Sequence, residues 1–191
     1  MLVLVQNASK ATPGNLLERW IPQLQQVMTY PYAEHPAQSA ALLGQAFMND
    51  WRTASGQQWF QDAQKAERDR VYWQPAYDQA AADGVGLLGL VTLYDISVNH
   101  GPGSDPESFG GIVSAAAAVS PPPSNGGTEV GYVGALIDKR EQVLIGWGDN
   151  QPDGRVQALR HLASAHPDME YPISWDMYGT TYTIPAAHVP R

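Results

Sequence analysis

The amino-acid sequence predicts a mainly α fold. Apolar residues return at steps of three and four along most of the 191 residues. Residues 85–98 are apolar on every side of a helix, the pattern of a buried central one. Glycine and proline are plentiful, 18 and 15, but scattered, so they punctuate helices rather than form low-complexity tracts.

Each element has its own signal. Thr12 can cap a helix whose first position is Pro13, with Leu17, Trp20, Ile21, Leu24 and Met28 as its apolar face and a kink at Pro22. Residues 30–36 hold two prolines and read as a connection, followed by a helix over 38–47. Ser55 and Gln58 have capping-box spacing ahead of a helix through Trp59, Phe60, Ala63 and Ala66. Pro75 starts another helix, which Asp83-Gly84 ends, and the apolar 85–98 helix follows. Residues 108–119 are alanine-rich and helical, and 120–127, with three prolines and two glycines, form a surface loop. Residues 129–147 are helical, 149–154 a turn and 155–165 a last helix, with a short hairpin around 178–183.

Composition narrows the function classes. A net charge of −8 argues against nucleic acid, whose phosphates call for a basic face. It suits a polyamine or amino-sugar polymer, although acidic surfaces also serve solubility alone. The absence of cysteine rules out disulfides and a thiol nucleophile. His35, His161, His166 and His188 lack the spacing of a paired-histidine metal site, so neither a metal nor a cofactor is expected. No apolar run approaches the roughly 18 residues of a membrane span, and residues 1–5 lack the basic start of a secretion signal.

Asp95 is the first candidate for chemistry. A carboxylate on a buried helix must be paired, and Arg140 and Arg155, on the two helices that follow, could reach it. Such a cluster either fixes helix packing or positions a catalytic group beside it. His100-Gly101-Pro102-Gly103 either presents an imidazole to a ligand or simply ends a helix. Trp51, Trp73, Trp147, Trp175 and Tyr178 could stack on sugar rings or serve as packing.

Three segments then combine: Glu67-Arg68-Asp69-Arg70-Val71-Tyr72-Trp73, Leu93-Tyr94-Asp95-Ile96-Ser97-Val98-Asn99-His100-Gly101-Pro102-Gly103, and Asp105-Pro106-Glu107-Ser108-Phe109-Gly110-Gly111. Together they resemble the chitosanases of glycoside hydrolase family 46. Met1-Leu2-Val3-Leu4-Val5-Gln6, Pro13-Gly14-Asn15, Asp50-Trp51, Phe60 and Trp175-x-x-Tyr178-Gly179 fall in similar places and order.

The resemblance implies a lysozyme-like, two-lobed helical fold, with residues 1–191 as a single, partial catalytic domain. It implies endo-hydrolysis of β-1,4 glucosamine linkages in chitosan or chito-oligosaccharides, with inversion, by a secreted enzyme. Inversion needs two carboxyls about 6.5–9.5 Å apart. In the family both precede the point that matches Met1, so no residue here is assigned acid or base, and the chain as it stands is expected to be inactive. Loss of that N-terminal segment would leave apolar surface through which the chain could self-associate. Asp95, Arg140 and Arg155 match a supporting network beside the general base, and His100 matches a cleft residue. Asp149 is a candidate for the acidic patch that binds cationic sugars, one position of which is Trp147 here. The alternative is a short, non-catalytic protein that binds chitosan or another polycation.

Overall fold

The computed structural model describes residues 1–31, 35–149 and 154–185, which are mainly α. They fall into two compact units, Met1–Asp69 and Arg70–Arg191.

In the first unit, α1 (Leu2–Ala11) buries Leu4, Val5 and Ala8. Thr12 is the C-cap of this helix and does not start the next one. Asn15 organises the turn that follows: its Nδ2 donates to the Thr12 carbonyl at 2.8 Å, and its Oδ1 accepts from the Leu17 N–H at 2.9 Å. A 3₁₀ turn, Glu18–Trp20, leads into α2 (Ile21–Val27). Pro22 lies in the first turn of α2, where its missing N–H has no intrahelical acceptor to serve, so the expected kink does not form.

Next come α3 (His35–Ser55), interrupted at Gly44 with φ +56°, and α4 (Gln58–Arg68). The Ser55 hydroxyl donates to the Arg52 carbonyl inside α3, so it does not cap α4; Gln57 occupies that position. Leu17, Leu24, Phe47 and Phe60 close the core with α1, and Trp51 meets Phe60 edge-on with ring centroids 4.8 Å apart. Burying a side chain such as Phe60 contributes roughly 1.5–3 kcal/mol. The expected connection over 30–36 lies partly outside the described residues.

The second unit enters from a π-helical turn, Asp69–Trp73, and runs through α5 (Gln74–Asp83), α6 (Leu87–His100), α7 (Phe109–Val119), α8 (Glu129–Gly146) and α9 (Arg155–Ala165). Gly84 ends α5 in the left-handed conformation, φ +69°. The 120–127 loop contains one 3₁₀ turn, Pro123–Asn125. Of the expected turn at 149–154, positions 150–153 lie outside the described residues. Strands β1 (Ile173–Met177) and β2 (Thr180–Ile184) pair antiparallel, with Ile173 opposite Ile184.

Helices α6 and α8 form the centre of this unit. One core cluster gathers Leu93, Ile96, Phe109, Ile112, Tyr132 and Leu136, and another gathers Leu88, Val133, Ile137, Leu159 and Ile173. Glu129, the first residue of α8, reaches the N-terminus of α6, where its Oε1 accepts from the N–H groups of Gly86 at 2.9 Å and Gly89 at 3.0 Å. A carboxylate there satisfies two otherwise unpaired donors and complements the helix dipole.

The expectation that α6 is buried all round is corrected. Leu87 and Val98 are exposed, while Leu88, Thr92, Leu93, Ile96 and Ser97 are buried. Tyr94 and Asp95, three and four residues beyond Val91, and Val98, four and three beyond them, share one face and line an open groove. Apolar periodicity alone did not distinguish a core-facing flank from a groove-facing one.

Candidate functional site

The site is built within the second unit, where α6, α8 and α9 converge. Asp95 lies two turns into α6, Arg140 three turns into α8, and Arg155 opens α9. Arg140 Nη2 stands 2.8 Å from Asp95 Oδ2, and Arg155 Nη1 stands 3.3 Å from Oδ1. One carboxylate therefore bridges two guanidinium groups, the three residues that the sequence reading grouped together.

Their burial differs sharply. Arg140 is 2% exposed, Asp95 19% and Arg155 43%. Burial pulls the Arg140 guanidinium below its ordinary pKa; Asp95 opposes that pull and Arg155 reinforces it. Arg140 Nε and Nη1 have no hydrogen-bond acceptor among the described residues, and the contact to Asp95 Oδ2 is ionic rather than an aligned hydrogen bond. Buried donors of a charged group left without acceptors are costly. Arg140 itself borders a pocket.

That pocket, about 190 Å³ in volume, is lined by Asn99, Arg140, Glu141, Asp149, Arg155 and Tyr178 among others. Asp149 is exposed at its edge. Tyr178 and Gly179 form the two-residue turn between the strands, both with positive φ (+51° and +75°), as a type I′ hairpin requires. A non-glycine residue in that conformation carries backbone strain, and here it sets a tyrosine at the pocket rim. On the groove side of Asp95, Val91, Tyr94, Val98, Leu159, Trp175 and Met177 line a mostly apolar channel of about 380 Å³.

His100 ends α6 with its Nδ1 3.0 Å from the Glu107 carbonyl oxygen. Burial, then the charge of Arg140, lowers its pKa from the ordinary 6.5, against opposing contributions from Glu107 and Asp95. The loop from His100 to α7 is held close. The Ser108 N–H donates to Asp105 Oδ1 at 3.1 Å, and a Cβ at Gly111 would collide with the Asp105 carbonyl oxygen. That close approach requires glycine.

Sequence reading left one arrangement unseen. Trp147, just beyond α8, donates from Nε1 to Glu107 Oε2 at 2.9 Å and packs against the His100 ring with centroids 5.0 Å apart. Partners 40 positions apart leave no local pattern; the sequence marks Trp147 as an aromatic at an acidic-patch position and Glu107 as part of a motif, without joining them. No group of three or more metal-ligating side chains occurs among the described residues. No helix among them is long and apolar enough to cross a membrane.

A chitosanase from a Streptomyces species is 39% identical over 186 residues, 96% of this chain and 64% of the relative's length. The chain thus spans less than two thirds of that relative. A solved chitosanase, OU01, determined with substrate, shares 40% identity and superposes with a TM-score of 0.83, covering 96% of this chain and 76% of that one. The chitosanase of Gynuella sunshinyii, solved with chitotetraose, shares 28% identity over 97% of this chain and 78% of its own, with a TM-score of 0.81. The described residues share the lysozyme-like helical class of these enzymes. The sequence model of glycosyl hydrolase family 46 matches residues 1–173, and the chain belongs to that family.

Proposed function

We propose that residues 1–191 form the part of an inverting chitosan hydrolase that recognises the polymer and holds the positioning array for its catalytic carboxyls. The observation that carries this reading is the buried Arg140, bridged to Asp95, with Nε and Nη1 buried and without acceptors among the described residues. A carboxylate is the acceptor such a guanidinium fits best. Family membership and the substrate-bound relatives support chitosan or chito-oligosaccharide as the ligand.

Inversion proceeds with one carboxyl protonating the leaving oxygen while a carboxylate activates water on the opposite face. Asp95, engaged by two arginines, is suited to neither task; it orients and charges what lies beside it. No residue of 1–191 is assigned acid or base, and both roles belong to family sequence outside these residues. The 64% span of the Streptomyces relative is consistent with that. His100 and Asp149 serve as substrate contacts, and the setting is extracellular, since the polymer does not enter cells.

The test is an assay of purified residues 1–191 on chitosan, reading release of glucosamine oligomers beside binding. Binding without release is expected. Release of oligomers would overturn the assignment of acid and base elsewhere, and absence of both would overturn the reading as a whole. A second reading, a non-catalytic polycation binder, draws on the net charge of −8. Salt-sensitive retention on immobilised chitosan, by a natural product whose open reading frame starts at Met1, would favour it. The apolar channel beside Asp95 is the surface for self-association, read by sedimentation as mass rising with concentration.

A further inference from the structure

We propose that Trp147 and Glu107, braced by His100, form a binding subsite for one glucosamine unit, with the sugar ring stacked on the indole and its 2-ammonium paired with the Glu107 carboxylate. This deepens the proposed function and rests on it.

Trp147 is 48% exposed, yet its ring is not free to swing. Its N–H is held by Glu107 Oε2, and one side of the indole leans on the His100 imidazole at an interplanar angle of 34°. The Glu107 carbonyl oxygen in turn sits 3.0 Å from His100 Nδ1, so a single residue secures both rings, one through its side chain and one through its backbone. A large aromatic surface fixed in place before a ligand arrives loses little freedom on binding, which is what a stacking platform needs.

The chemistry around the indole selects the ligand. Glu107 uses Oε2 for Trp147, and its Oε1 takes no hydrogen bond from the described residues, leaving a carboxylate oxygen beside the platform. Because a carbonyl oxygen can only accept, His100 Nδ1 carries the proton in that contact, and a neutral ring then has Nε2 unprotonated, 3.5 Å from Asn99 Nδ2. Burial and the nearby Arg140 disfavour a second proton on the ring. The brace beneath the indole is therefore uncharged near neutral pH and does not repel an ammonium. A flat apolar face, an adjacent anionic oxygen and an uncharged support match a protonated amino sugar. Asn99, whose Nδ2 lies 3.5 Å from His100 Nε2, also lines the arginine-bearing pocket, as does Asp149.

Calorimetric titration of residues 1–191 with the glucosamine hexamer and with the N-acetylglucosamine hexamer tests the subsite. Trp147→Ala should weaken the glucosamine hexamer by roughly tenfold, the upper end of a single aromatic contact. Glu107→Gln should weaken that hexamer several-fold and leave the N-acetylated one unchanged, because only the former carries an ammonium. If Trp147→Ala lowers the thermal midpoint, Glu107→Gln decides, since it keeps the local packing. Parental affinity for the glucosamine hexamer in the folded variants would overturn the subsite while leaving the proposed function standing. Failure of the unsubstituted chain to bind either oligomer would overturn both.

Discussion

The first unit fills its interior with Leu17, Leu24, Phe47 and Phe60, and Ser9 is its one buried polar side chain among the described residues. The second unit buries Asp83, Thr92, Ser97, Ser108 and Arg140 among its apolar residues. One ion pair of the first unit, Arg19 with Asp50, keeps its guanidinium at the surface, with Arg19 62% exposed. One of the second places a 2% exposed guanidinium against Asp95. An interior devoted to packing alone gains nothing from a buried charge, which costs desolvation energy. An interior that must aim charge at a pocket accepts the cost. The contrast supports placing the proposed site in the second unit, independently of any motif.

Substitutions can break or sharpen the contrast. The largest effect is expected from Arg140→Ala, which leaves Asp95 with the exposed Arg155 as its remaining partner; denaturant unfolding should show a loss of about 3–5 kcal/mol. Replacing both partners, Arg140→Met with Asp95→Leu, should restore much of that stability while weakening chitosan binding. If the double variant keeps parental binding, the pair is structural and the contrast says nothing about function.

Tyr132→Phe probes a second buried polar contact. The Tyr132 hydroxyl donates to Asp83 Oδ2 at 2.7 Å, while Gln79 serves Oδ1. Its loss leaves a buried carboxylate oxygen unpaired, at a cost of about 1–3 kcal/mol. In the first unit Asp50→Asn should cost less than about 1 kcal/mol, as expected for a solvent-screened pair. The Trp20 indole N–H, more than Arg19, holds the Asp50 carboxyl below its ordinary value of 3.8. Its stabilising contribution is therefore complete above about pH 4 and is lost as pH falls through the lower folded value. An effect of Asp50→Asn as large as that of Arg140→Ala would erase the difference between the units.

The smallest effect is a slope. Burial, then Arg140, holds the His100 pKa below 6.5, so the unfolded chain takes up this proton first as pH falls. The contribution is full above about pH 6.5 and fades as pH drops through the folded value. His100→Gln should flatten stability against pH across that interval; an unchanged slope would mean that the imidazole is not confined as described.

Much of the second unit was legible in the sequence because its boundaries carry local chemistry. Pro75 lies in the first turn of α5, Gly84 closes it with a left-handed residue, Ser108 is the N-cap of α7, and Arg155 opens α9. The start of the chain was less readable. Helix α1 has no side-chain cap, and Thr12-Pro13 mimics a helix start although Thr12 ends α1. The deciding contacts are those of Asn15, tertiary details of a turn that a one-dimensional pattern does not encode. In the site, Asp95 stood out because a charge interrupts apolar periodicity, and Arg140 and Arg155 because they are cations on the two helices that follow. The contact of Trp147 with Glu107 and His100 did not, since partners 40 or more positions apart leave no local pattern that links them.

The Glu129 carboxylate has a consequence that reaches along the helices. It ties the first residue of α8 to the first turn of α6, and Asp95 meets Arg140 farther on, so the two helices run in the same direction with two fixed points between them. Asp95 lies nine residues beyond Gly86 and Arg140 eleven beyond Glu129, about 14 Å and 17 Å at 1.5 Å per residue. The tie at the near end thus sets the axial registration at the far end. A slide of α8 by a single residue, about 1.5 Å, would also rotate its face by about 100°, swinging the guanidinium away from the carboxylate. A glutamate remote from the pocket acts as the datum from which the ion pair is measured.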